Sequence, residues 1–336
     1  MRRNDDIKVS VYCMAYNHEK YIRDALEGFI MQKTNFKFEV IVHDDASTDG
    51  TANIIKEYEQ KYPDIIKPIY QSENQISLGI PVLSTYVLPK LRGVYVASCE
   101  GDDCWTDENK LQIQHDIMEN NPECIFCTHK TRVLDMQNKR EVRFFPNESY
   151  GLKTGIVDRD VQFEISLFDL FHLTSWFFKK SEVEKFFLNK PEFVKMMPTG
   201  DVGRLLYFAN IGGMYYIDKE MSLYRKGTEG SWTMRVERNA DRCGHIKRNE
   251  KIIAALNLLK EDLFDTEFDK MIDRKISECR FAIDLAKKDY KSLFSEEYKE
   301  ILCHFNKKAV TMFFISRYFP WFEDICMHIR RVLKKI

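Results

Sequence analysis

From Lys8 to Asp135 the chain alternates between short apolar runs and longer segments whose apolar residues recur every three or four positions. That alternation restricts the fold more than any other feature. KVSVYCMAY, FEVIVHDD, KPIYQS, GVYVASCEGDD and CIFCTHKTRVLD read as strands. HEKYIRDALEGFIMQ, TANIIKEYEQKYP and DENKLQIQHDIMENNP read as helices, and GIPVLSTYVLPKL as a helix broken near Pro89. In the first helix Tyr21, Ile22, Ala25, Leu26, Phe29 and Ile30 share one face, the spacing that a packed helix needs. Strands and helices in strict alternation predict an α/β fold, a mostly parallel sheet with helices on both faces and right-handed crossovers.

The pattern loosens after residue 136. Residues 137–161 read as loop and edge hairpin, LTSWFFKK as a strand, and SEVEKFFLNK as a helix opened by Ser181. TGDVGRLLYFANIGG reads as a helix closed by its glycine pair, and MYYIDKEMSLYRKG as extended. From Arg238 the pattern is helical only. The expected division is a catalytic domain over 1–237, made of a nucleotide-binding half (1–136) and an acceptor half (137–237), followed by a C-terminal helical appendage over 238–336.

Charge excludes one class of partner. With 51 basic and 52 acidic residues, no overall field draws the chain to nucleic acid, so any electrostatic function is local. The opening MRRNDDIK lacks the apolar run of a signal peptide, and no run is long enough to span a bilayer; a cytoplasmic location is expected. Cys124 and Cys127 form a lone CxxC inside an apolar stretch. A zinc site wants a second pair, so buried thiols are expected.

Three polar clusters directly follow predicted strands: Tyr16-Asn17-His18, Asp44-Asp45 and Glu100-Gly101-Asp102-Asp103. The carboxyl ends of strands line the ligand crevice of an open parallel sheet, so all three fall along one edge. Two acid pairs there repel each other and need a cation or ligand donors. Carboxylate oxygens suit Mg or Mn, above all beside a diphosphate. The bland alternative is helix capping. It fits Ser47, Thr48 and Asp49, but not EGDD, whose following helix has its own cap candidates in Thr106 and Asp107.

These segments resemble family 2 glycosyltransferases of the GT-A fold. VSVYCMAYNHEKYIRDALEGFIMQ is similar to the family's opening strand and helix, FEVIVHDDASTDGT to its nucleotide-binding segment, and YVASCEGDDCWTDENKLQIQ to its DxD segment. TGD and YRKGTEGSW resemble the acceptor-side Asp and the closing loop. The resemblance covers roughly residues 7 to 235. It implies that Tyr16 packs on the donor base, and that Asp45, with Asn17 and Asp44 beside it, holds the uracil and ribose end. It further implies that Asp102 and Asp103 bind ribose and a divalent metal, Mn or Mg, and that Asp201 is the catalytic base, set apart from the metal acids. Glu100 stands where the first Asp of the DxD is usual, and Ala46 replaces a common Gly, a change that looks harmless. Gly227 stands where relatives often carry a His, which leaves leaving-group stabilisation to Arg225 or the metal. The QxxRW pattern of chain-synthesising relatives is absent, so one sugar is expected per encounter.

Trp105 reads as a structural plug with sugar stacking as the alternative, Trp232 as a sugar-stacking residue, and none of the eight histidines as catalytic. The implied donor is a UDP-hexose or UDP-N-acetylhexosamine, used with inversion in surface polysaccharide synthesis; the acceptor is a glycan or lipid-linked glycan. After Pro320 an apolar face from Trp321 to Ile336 lies opposite Arg330, Arg331, Lys334 and Lys335. That pattern fits either an anionic membrane surface on the cytoplasmic side or a helix docked on protein. Two alternatives keep the fold: a nucleotidyltransferase, disfavoured because MAYNHEKY lacks a glycine-rich loop, and a non-catalytic sugar-nucleotide or glycan-binding protein.

Overall fold

A computed structural model describes residues 6–229, 231, 242–262 and 268–319. The first half follows the expected alternation. β1 (Ile7–Ala15), α1 (Ile22–Ile30), β2 (Lys37–Asp44), α2 (Thr51–Lys61), β3 (Ile66–Tyr70), β4 (Tyr95–Glu100), β5 (Cys104–Trp105), α3 (Lys110–Asn120) and β6 (Cys124–Asp135) succeed one another. Between β3 and β4 the chain forms a π turn at Leu83–Val87 and then a 3-10 turn at Leu88–Lys90, so the break at Pro89 occurs where expected.

The second half is more irregular: β7 (Arg140–Phe145), β8 (Gly155–Val157), α4 (Arg159–Phe168), β9 (Phe177–Lys179), α5 (Lys180–Leu188), α6 (Glu192–Met196), α7 (Gly200–Ile211) and β10 (Gly213–Lys226). Only three residues of LTSWFFKK are strand. Leu173–Ser175 coil into a 3-10 turn, because the buried Trp176 indole donates back to the Phe171 carbonyl at 2.6 Å. Helix α5 starts at Lys180, and Ser181 makes no cap hydrogen bond. Helix α4 begins inside the stretch read as loop and hairpin.

The sheet runs β3-β2-β1-β4-β9-β6-β10-β5, with β7 on β6 and β8 on β10. β1 pairs parallel with β2 and β4, β2 with β3, and β10 with β6. Short β9 is antiparallel to both β4 and β6. Every residue of β2 after Lys37 is buried, as expected of a strand covered by helices on both faces. The core lies between β1, β2 and β4 and helices α1 and α2, where Val9, Val11, Ile22, Leu26, Phe29, Val40 and Ile55 are fully enclosed.

The chain divides into two compact units, Met1–Pro191 with Asp201–Arg235, and Glu192–Gly200 with Val236–Ile336. The second holds α6, α8 (Arg242–Asp262), α9 (Asp269–Lys287), α10 (Lys299–Cys303) and α11 (Lys307–Tyr318). Phe281, Tyr290, Leu293, Tyr298 and Phe313 form a core of its own. Among the described residues no helix is long and apolar enough to cross a membrane. The tail after Pro320 and Trp232 lie outside the described residues. Cys124 and Cys127 are buried free thiols.

Ala46 is not a harmless replacement. It holds φ at +61° in the loop after β2, where a Cβ crowds the following carbonyl and costs about 1–2 kcal/mol. Ala46→Gly removes that strain but adds freedom to the unfolded chain, worth about 0.4–1 kcal/mol. The expected result is a stabilisation of about 0.5–1 kcal/mol, read by urea unfolding; a loss of stability would contradict the strained backbone.

Candidate active site

The loops after β1 and β2 are stitched together. Asn17 takes φ +57°, which asparagine tolerates. Its amide donates to Ser47 Oγ at 2.9 Å and its Oδ1 accepts from the Thr48 amide at 2.8 Å. Next to it the His18 amide donates to Thr51 Oγ1 at 2.8 Å, and the Glu19 amide to Asp49 Oδ2 at 3.0 Å. Asp49 Oδ1 also accepts from the Thr51 amide at 3.0 Å; the cap residue of α2 is Gly50, and no side chain of Ser47, Thr48 or Asp49 caps the helix. Tyr16 is partly exposed at the end of β1.

The pair Asp44-Asp45 splits into two roles. Asp45 is buried, and its carboxylate accepts from the backbone amides of Gln75 and Ile76 at 2.8 and 3.1 Å. Tyr86 steadies the same loop by donating to Gln75 Oε1 at 2.8 Å. The charge of Asp45 is thus met by the chain itself and needs no cation. Asp44 is equally buried, but its Oδ1 has no hydrogen-bond partner, and Oδ2 has only a long 3.4 Å contact from the Ser47 amide. An unmet buried oxygen costs about 1–3 kcal/mol, so Asp44 is the member of the pair that lacks a donor.

The third cluster sits on the turn after β4. The Gly101 amide donates to the Met14 carbonyl at 2.8 Å, and the Asp103 amide to the Glu100 carbonyl at 3.1 Å. This folds Glu100, Asp102 and Asp103 together, so that one oxygen from each lies within 4.8 Å of the others. Asp103 Oδ1 accepts from the Arg225 amide at 2.9 Å, whereas its buried Oδ2 is unpartnered. Asp102 Oδ2 accepts from Thr228 Oγ1 at 2.7 Å. Burial, then the neighbouring Asp102 and Glu100, hold the Asp103 carboxyl well above the usual range. Burial, then Asp102 and Asp201, push Glu100 up to about 8. Three crowded carboxylates with an orphaned oxygen fit a divalent cation: its charge relieves the repulsion and its shell takes the unused lone pairs.

Asp201, in the first turn of α7, lies closer to these acids than the sequence suggested, near enough for its charge to raise Glu100. Its own pKa is raised by burial and pulled back by Arg204, whose Nη2 stands 3.9 Å from Asp201 Oδ1. The side chain still exposes 43% of its surface; the carboxyl is crowded yet open to solvent.

Arg225 does not project its guanidinium outward. Nη1 donates to the Asp102 carbonyl at 3.0 Å, Nη2 pairs with Asp24, and the group sits 5.4 Å from the Tyr21 ring centre. It braces the acid turn against α1. Trp105 is a plug: it is 2% exposed, its Nε1 donates to the Thr174 carbonyl at 3.0 Å, and its ring meets Phe29 edge-on. Thr228 was not foreseen; a hydroxyl three residues after Arg225 carries no spacing signal.

The family model described as "Glycosyl transferase family 2" matches residues 10–181, just over half of the chain. The chain belongs to this family. Among relatives, the Bacillus subtilis (strain 168) "putative teichuronic acid biosynthesis glycosyltransferase TuaG" is 36% identical over 110 residues, 33% of this chain and 41% of that protein. The chain spans about two fifths of the length of the curated relatives that it matches. In fold it is similar to S. aureus TarS in complex with UDP-GlcNAc, with a TM-score of 0.58 and 19% identity, covering 87% of this chain and 77% of that one. It is also similar to the mannosyltransferase PcManGT from Pyrobaculum calidifontis, solved with GDP-Man and Mn2+. There the TM-score is 0.53 and the identity 15%, over 93% of this chain and 87% of that one. The family 2 chain therefore has the GT-A fold.

Proposed function

We propose that this glycosyltransferase moves a hexose or N-acetylhexosamine from a UDP-linked donor to a hydroxyl of a glycan or lipid-linked glycan, with inversion, in surface polysaccharide synthesis. One observation carries the reading: the three-carboxylate turn after β4 and the carboxylate of Asp201 stand within electrostatic reach of each other at the carboxyl edge of the sheet. The names of a teichuronic acid relative and of a fold neighbour bound to UDP-GlcNAc support the choice of donor and setting.

The chain's own groups divide the work. Asp44 offers its unpartnered oxygen to an N–H or hydroxyl of the nucleotide, and Tyr16 offers a ring beside it. Asp45 holds the 74–76 loop against the same edge. Asp102 and Asp103 would hold a divalent ion, Mn or Mg, which supplies positive charge to the departing diphosphate. Asp201 takes the proton of the acceptor hydroxyl as the new bond forms. Burial raises its pKa, which strengthens it as a base, and Arg204 pulls back toward the ionised form.

Asp201→Asn tests this. Asparagine matches the shape and leaves the helix start intact, so the variant should fold and bind UDP as before. Its kcat should fall about a hundredfold or more. A stable, UDP-binding variant with near-normal transfer would show that Asp201 is only a helix-terminal residue.

A further inference from the structure

His18 stands beside the acid turn with an imidazole that makes no hydrogen bond to the protein. Its Nδ1 is buried without a partner. Its Nε2 lies 3.9 Å from Asp102 Oδ2, beyond hydrogen-bond range. Only 14% of the side chain is exposed. A buried Nδ1 without a partner costs about 1–3 kcal/mol, yet the surrounding structure enforces the position. The His18 amide is tied to Thr51, and the His18 carbonyl receives the amides of Tyr21 and Ile22, both at 2.8 Å. Across the turn, a Cβ at Gly101 would fall 2.8 Å from His18 Nδ1, so the glycine between the acids is what lets the ring approach.

The spacing suits two ligands of one ion. Donors about 2.1 Å from a small octahedral cation stand about 3.0 Å apart when adjacent and about 4.2 Å apart when opposite. The gap of 3.9 Å is close to the opposite arrangement. Among the described residues no other histidine comes within 4.0 Å of Glu100, Asp102 or Asp103.

We propose that His18 supplies an imidazole nitrogen to the divalent ion held by Asp102, and so biases the site toward Mn over Mg. The inference rests on the metal-binding reading above. Its chemical reason is that imidazole is a softer donor than carboxylate, and Mg discriminates more strongly than Mn in favour of oxygen.

Pulsed electron paramagnetic resonance on the full chain with Mn2+ and UDP decides it. The expected spectrum shows nitrogen modulation from a directly bound imidazole, and His18→Gln abolishes it. In competition titrations the variant should lose about tenfold of the preference for Mn2+ over Mg2+. Bound Mn2+ without nitrogen modulation in the unaltered protein overturns the role of His18 while leaving the metal reading intact. Failure of Mn2+ to bind at all, with or without UDP, overturns both. The spectrum of the unaltered protein settles the matter even if His18→Gln does not fold.

Discussion

Asp102→Asn is expected to lower kcat/KM for sugar transfer by about a thousandfold, and to remove the dependence of UDP binding on Mn2+. Charge stabilisation by a bound metal is worth several kcal/mol in the transition state, and each 1.36 kcal/mol is about tenfold in rate. The substitution leaves the fold little reason to suffer. An asparagine oxygen still accepts from Thr228 Oγ1, and the Asp102 carbonyl still receives Arg225 Nη1. Removing one of three crowded charges also relieves Asp103 and Glu100, both of which Asp102 pushes up. The thermal midpoint should therefore hold or rise. Full turnover by Asp102→Asn, or by the unaltered protein in excess EDTA, would sink the metal-dependent reading.

Lys110→Met is expected to change how stability depends on pH. Lys110 opens α3 yet is completely buried. Its Nζ donates to Gln114 Oε1 at 2.6 Å and lies 4.0 Å from the Trp105 ring centre; among the described residues no carboxylate pairs with it. Burial pulls the ammonium from 10.5 to about 7, which corresponds to about 5 kcal/mol. The Trp105 ring face favours the charged form by about 2 kcal/mol when desolvated, leaving a net penalty of roughly 3 kcal/mol. The charged form is the one disfavoured by folding, so below pH 7 the penalty is complete. As the pH rises past the folded value, which the ring lifts above 7, the folded amine loses its proton while the unfolded one keeps it, the unfolded state binds more protons, and stability climbs until about pH 10.5. Lys110→Met carries no proton. Its stability relative to the unaltered protein should be greatest near pH 6 and should decline by roughly 3 kcal/mol by pH 10, as measured by urea unfolding under reducing conditions. Parallel stability curves for the two proteins across that range would show that the amine is solvated after all.

The site was legible in the sequence where chemistry is tied to strand ends. Asp44, Glu100, Asp102 and Asp103 could be placed on one edge because a parallel sheet sends the carboxyl ends of its strands there, and apolar runs such as FEVIVHDD announce where each strand stops. Which oxygens remain unpartnered could not be read. Asp44 and Asp45 are adjacent and identical in type, yet Asp45 is consumed by the amides of Gln75 and Ile76, thirty residues further along. Arg225 looked like a group for the diphosphate until its contacts with Asp24 and the Asp102 carbonyl were seen.

Periodicity and strand-end chemistry, both local, determined the alternating α/β order, the broken helix at Pro89 and the acids of the turn after β4. The tertiary structure alone decided that β9 runs antiparallel between β4 and β6, that Lys110 is buried against Trp105, and that His18 meets Asp102 across Gly101. Each of these depends on segments distant in the chain closing over one another. Solvent access and hydrogen-bond partners are properties of that closure, and no window of neighbouring residues contains them.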